Sequence, residues 1–73
     1  MTAFQAKKIV AEWLAGNNLP YHKLSARTVD FADLARGSKL FVKVHGWKPN
    51  SIWGELRAIA SVNGFLVETD GLG

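Results

Sequence analysis

Ala6, Ile9, Val10, Trp13 and Leu14 recur at three- and four-residue spacing, while Gln5, Lys8 and Glu12 fall on the opposite side. That is the period of an amphipathic helix with one buried stripe. Thr2, Ala3, Phe4, Gln5 has the form of a capping box, in which Thr2 accepts from the Gln5 amide and Gln5 reaches back to the Thr2 amide. Gly16, Asn17 and Asn18 supply left-handed capping residues, and Leu19 with Pro20 prevents continuation. The first helix is therefore predicted over residues 3 to 16.

From Tyr21 the period shortens. Leu24, Ala26 and Thr28 fall on one side and Lys23, Ser25 and Arg27 on the other, a strand with a polar face. Val29 and Phe31 break the alternation, and within residues 29–37 Asp30 can cap a short turn of helix, with Asp33 in its first turn, Arg36 in its last, Phe31, Leu34 and Ala35 as its apolar positions and Gly37 as a stop. A simple hairpin is the alternative for this segment. Leu40 to His45 forms the second strand. Pro49 and Asn50 or Ser51 open a second long helix over 51 to 63, whose Ile52, Trp53, Leu56, Ile59, Ala60 and Val62 face the sheet. Asn63 and Gly64 close it, Phe65 to Val67 starts a third strand, and the glycine-rich end from Thr69 is expected to fray.

The predicted order is helix, strand, short helix, strand, helix, strand. That makes an α+β domain in two layers with a two- or three-stranded sheet. Strand 40 to 45, helix 51 to 63 and strand 65 to 69 can form a βαβ unit with parallel strands. The very short connection after the helix allows instead a peripheral last strand and a two-stranded sheet between two helices.

Composition narrows the rest. A chain of 73 residues holds one domain, 1–73, and with no Cys it must rest on its apolar core rather than on disulfides. Hydrophobic residues make up 48% and aromatics 11%, enough for that core and against disorder. No apolar run reaches the length of a membrane span and no signal-peptide stretch opens the chain, so a cytoplasmic protein without membrane contact is expected. The formal charge of +3 is a mild basic bias, compatible with nucleic acid or an acidic partner.

The candidate chemistry lies in "FVKVHGWKPN", Phe41 to Asn50. Leu40, Val42 and Val44 share one face of the second strand; Phe41, Lys43 and His45 share the other, with Trp47 extending it. Aromatic rings alternating with cations are what single-stranded nucleic acid binding uses, rings to stack on bases and cations to meet phosphates. Arg27 on the neighbouring strand joins that face, and Lys48 sits in a strand-to-helix turn where free amides favour an anion. If the second helix covers Phe41 and Trp47, both belong to the core instead. His45 is the one catalytic candidate, and Glu55, Asp30 and Asp33 are the carboxylates that could assist it. The two histidines show no ligand spacing, so no metal site and no cofactor is expected.

Two resemblances enter here. "GELRAIASVNG", with Gly54, Leu56, Arg57, Ile59 and Gly64, resembles the last helix of the HicA family of mRNA-interferase toxins, and the preceding "KVHG" resembles the strand that feeds it. The resemblance implies a double-stranded-RNA-binding-like fold, with an N-terminal helix, three strands and a C-terminal helix, and RNA cleavage by a histidine in the sheet. The matching region here, "SARTVDFADLA", has no histidine, and His45 comes later, so no catalytic role transfers. "ARTVDFADLAR" together with "FVKVHGW" is similar to small uncharacterised proteins of prophages and mobile elements of Gram-positive bacteria, which implies an origin and no mechanism.

The expectation is thus a small, non-enzymatic domain that binds nucleic acid or a protein through Arg27, Phe41, Lys43, His45, Trp47 and Lys48. Lys43 and Lys48 would meet phosphates, Phe41 and Trp47 would stack, and His45 would donate a hydrogen bond. The alternatives are a HicA-like ribonuclease toxin using His45, and a phage-encoded interaction or assembly module docking through Trp47 and Trp53.

Overall fold

The computed structural model describes residues 1–30, 37–48 and 50–70. Its elements run α1 (Ala3–Gly16), β1 (Lys23–Asp30), β2 (Ser38–His45), α2 (Trp53–Val62) and β3 (Leu66–Thr69). The three strands form one sheet in the order β1-β2-β3, antiparallel between β1 and β2 and parallel between β2 and β3. The α+β expectation therefore holds, in its three-stranded form. The third strand follows α2, whereas the arrangement implied by the HicA resemblance places three strands before the last helix.

Local signals in the sequence explain the ends of α1. Thr2 Oγ1 accepts from the Gln5 amide at 3.1 Å and Gln5 Oε1 accepts from the Thr2 amide at 2.9 Å, completing the capping box. At the other end Asn18 takes the left-handed conformation, φ 56°, and the Leu19 amide donates back to Leu14 O at 3.0 Å. α2 starts two residues later than predicted, because Ser51 and Ile52 form a separate turn, with the Ile52 amide donating to Asn50 Oδ1 at 3.0 Å. Gly64, at φ 84°, ends it and lets the Phe65 amide return to Ala60 O at 3.0 Å.

Both helices pack on one side of the sheet. The core consists of Ala6, Val10 and Leu14 from α1, Leu56 and Ala60 from α2, Val42 and Val44 from β2, and Trp47 and Phe65 from the connections. Burying each of the larger aliphatic side chains contributes about 1.5–3 kcal/mol. Three expectations need correction. Val62 is 87% exposed, because it turns away from the stripe formed by Leu56 and Ala60. The strand β1 continues through Val29 to Asp30, which pairs with Ser38, so the strand runs past Val29, where the alternation was expected to break. The short helix expected to follow Asp30 falls on residues 31–36, which lie outside the described residues. Thr69 and Asp70 are not a loose tail: Thr69 ends β3, Thr69 Oγ1 donates to Trp47 O at 2.7 Å, and Asp70 is held by Gly46 and His45.

Candidate nucleic-acid interface on the open sheet face

Strand register decides which side chains meet. Leu24 pairs with Val44 and Ala26 with Val42, so these share the helix-covered face. Lys23, Ser25 and Arg27 on β1 then share the opposite face with Phe41, Lys43 and His45 on β2, and with Leu66 and Glu68 on β3. Neither α1 nor α2 lies on that face, since both contribute to the core on the other. Among the described residues, helices cover the sheet on one side only.

Phe41 is half-buried on this face and also lines a groove with Gly54, Arg57, Ala58 and Ser61 of α2 and Leu66 of β3. Arg27 reaches across the Phe41 ring, with Cζ 5.1 Å from the ring centroid. Beyond the ring the guanidinium meets Glu68 of β3 in a two-point pair, Nε to Oε1 at 2.9 Å and Nη2 to Oε2 at 3.0 Å. The hydrogen bond from Arg27 holds the Glu68 carboxyl below the usual carboxylate range and in turn raises the Arg27 pKa. The ring therefore already has a cation over it, and the Arg27 side chain, 59% exposed, forms the outer surface there.

At the end of β2, three side chains line up. Ser25 Oγ lies 2.7 Å from His45 Nε2, and His45 Nδ1 lies 3.1 Å from Asp70 Oδ2. The second oxygen, Asp70 Oδ1, accepts from the Gly46 amide at 2.8 Å. That backbone hydrogen bond is the main reason the Asp70 carboxyl titrates below its ordinary value, with His45 and Lys43 adding to the effect. A carboxylate on Nδ1 places the ring proton there, which makes Nε2 of the neutral ring the acceptor for the Ser25 hydroxyl. Sequence reasoning found His45 but neither Ser25 nor Asp70 as its partners. The Ser25 signal was its place on the polar side of β1; Asp70 carried none, because only the parallel pairing of β2 with β3 brings it there.

Trp47 is corrected from a stacking residue to a core residue. It is 5% exposed and packs between Trp13, at 6.0 Å between ring centroids, and Trp53, at 5.3 Å. The cause is Gly46. At φ 77° it breaks the alternation of β2, so the residue that would extend the open face swings to the other side. A Cβ on Gly46 would also stand 2.8 Å from His22 Cβ, so the close approach of the two chain segments requires glycine.

Lys48 is exposed in the segment after Trp47. The adjoining turn is a poorer anion cradle than expected. The Ile52 and Trp53 amides donate to Asn50 and the Glu55 amide to Ile52 O, while the Glu55 carboxylate, which accepts from Trp13 Nε1 at 3.2 Å, stands in the first turn of α2. Of the expected site residues, then, Arg27, Phe41, Lys43 and His45 come together on the open face, Lys48 stands apart, and Trp47 is inside. Asp30 and Glu55 do not reach His45; Asp33 lies outside the described residues. No three metal-ligating side chains cluster among the described residues, and no described helix is long and apolar enough to cross a membrane. No family model, no curated protein and no solved structure matches the chain.

Proposed function

We propose that the open face of the sheet binds single-stranded nucleic acid, and that the domain acts as a binding module. The supporting observation is a face that neither α1 nor α2 covers, where, among the described residues, Lys23, Arg27, Lys39 and Lys43 outnumber the carboxylates Glu68 and Asp70, each already committed to a partner. Lys43, in the middle of that face, and Lys23 and Lys39 along its rim meet phosphates. A base stacks on the exposed plane of Arg27, continuing the stack begun by Phe41. His45 donates a hydrogen bond to a phosphate oxygen when its Nε2 is protonated. Lys48 provides a further phosphate contact outside the face.

Titration of the isotope-labelled protein with short single-stranded oligonucleotides tests this. Amides of residues 41 to 45 shift first, and binding weakens as salt rises because released counterions are the driving force. An unchanged spectrum at low salt overturns the proposal.

A second function is favoured by one specific observation, the Ser25–His45–Asp70 chain. A carboxylate-oriented histidine is suited to general-base chemistry. In a ribonuclease of toxin type, the 2′-hydroxyl displaces the Ser25 hydroxyl from His45 Nε2; Nε2 then takes its proton as that oxygen attacks the adjacent phosphorus, and the 5′-oxygen leaves with a proton from water. His45→Ala then abolishes RNA cleavage. If RNA stays intact with the unsubstituted protein, or is still cut by the variant, the binding function stands alone. Docking through a tryptophan surface has lost its main residue, since Trp47 is in the core.

A further inference from the structure

The edge strand β1 borders a second basic and aromatic surface. A groove of about 630 Å³ opens between the first half of α1 and the start of β1, lined by Phe4, Lys7, Lys8, Tyr21, His22 and Lys23 among others. Two features set it apart. Phe4, 73% exposed, and Tyr21, 36% exposed, are large rings that the core does not use, although α1 has a well-filled buried stripe at Ala6, Val10 and Leu14. The charged residues lining it are lysines, with no carboxylate among the described ones. Apolar rings between cations suit a partner that carries flat apolar groups on a polyanionic backbone.

Register joins the groove to the open face. Lys23 lines the groove, and as the first residue of β1 it pairs with His45, on the face where Ser25 and Arg27 follow. A strand of nucleic acid leaving Lys43 and His45 can therefore pass over Lys23 at the sheet edge without meeting a carboxylate of the groove.

We infer that the groove between α1 and β1 is a second subsite for single-stranded nucleic acid, in which bases stack on Phe4 and Tyr21 while Lys7, Lys8 and Lys23 hold the phosphates. The inference rests on the binding function of the open face and extends it, from a contact of a few nucleotides to a path that rounds the edge of the sheet. Charge complementarity selects this occupant over an uncharged peptide or a second copy of this basic chain.

Affinities of a four-nucleotide and a twelve-nucleotide oligothymidylate, measured by fluorescence anisotropy with chemical-shift mapping, test the subsite. The longer probe binds more tightly and shifts Phe4, Lys7, Lys8 and Tyr21 in addition to residues 41 to 45. Phe4→Ala weakens the longer probe roughly tenfold and leaves the shorter one unchanged. Joint Lys7→Gln and Lys8→Gln substitution flattens the salt dependence of the longer probe by about 1.4 in log–log slope. These side chains lie on the surface, so the variants keep the wild-type circular dichroism. If the longer probe shifts only residues 41 to 45, the subsite is overturned while the open-face function survives. If it shifts only the groove, the open-face function falls and the path across the sheet edge falls with it, leaving an isolated groove site. If neither probe binds, both fall. Binding of the groove to anionic lipid vesicles in place of oligonucleotides also overturns the subsite.

Discussion

Arg27 and Glu68 belong to the two outer strands, yet their side chains meet over the central one, at 2.9 Å and 3.0 Å, with the guanidinium above Phe41. The pair does two opposing things. For the proposed binding function it positions a flat cation on which a base would stack, and it offsets that cation's charge toward a polyanion.

Glu68→Gln separates these effects. It keeps a neutral acceptor for Arg27 while removing one negative charge from the face, so affinity for single-stranded oligonucleotides rises by roughly twofold to fivefold at low salt. The melting temperature changes little, because an exposed ion pair is screened by water. Anisotropy titrations of both proteins at two salt concentrations check this; weaker binding by the variant contradicts the charge argument.

Lys43 sits between Ser25 and Glu68 in the register, at the centre of the open face. Lys43→Ala weakens binding at low salt and lowers the log–log salt slope by about 0.7, the share of one phosphate contact to a single strand. An unchanged slope places the backbone elsewhere.

Trp47 separates core from face. Trp47→Ala empties the centre of the three-tryptophan cluster and costs about 3–5 kcal/mol in chemical denaturation. Trp47→Phe keeps the domain folded and binds oligonucleotides as tightly as the unsubstituted protein. A selective loss of binding in Trp47→Phe would return this residue to the interface.

Gly46→Ala brings two penalties at one position, a left-handed backbone at φ 77° and a Cβ 2.8 Å from His22 Cβ. Urea unfolding should show a loss of about 1–3 kcal/mol. The same change displaces the amide that holds Asp70, so the His45 ring resonances shift as well.

Acid stability follows from the carboxylates. Glu68 and Asp70 both titrate below their ordinary values in the folded chain, Glu68 through Arg27 and Asp70 through the Gly46 amide. The unfolded chain therefore binds more protons over that interval. The stabilisation is complete above the ordinary carboxylate range and is lost as pH falls through the depressed values. Urea midpoints measured from neutral pH downwards should fall in that acid window, and Asp70→Asn should flatten the decline. A midpoint insensitive to acid, or an identical decline in the variant, contradicts the assignment.

The sequence by itself determined whatever depends on neighbours along the chain. The capping box of Thr2 and Gln5, the buried stripe at Ala6, Val10 and Leu14, and the core side of β2 at Val42 and Val44 all follow from local periodicity and short-range hydrogen bonding. The same periodicity put Phe41, Lys43 and His45 on one face of β2 and Lys23, Ser25 and Arg27 on one face of β1, and the register then joined the two sets. Tertiary structure decided what local period cannot reach. Both α1 and α2 chose the same side of the sheet, so neither covers the aromatic and basic face. One left-handed glycine, Gly46, reversed the side on which Trp47 lies. Parallel pairing of β2 with β3 carried Glu68 to Arg27 and brought Asp70 to His45, contacts between residues 41 and 25 positions apart. Register between strands arises from packing of the whole core, and no short stretch of chain encodes it alone.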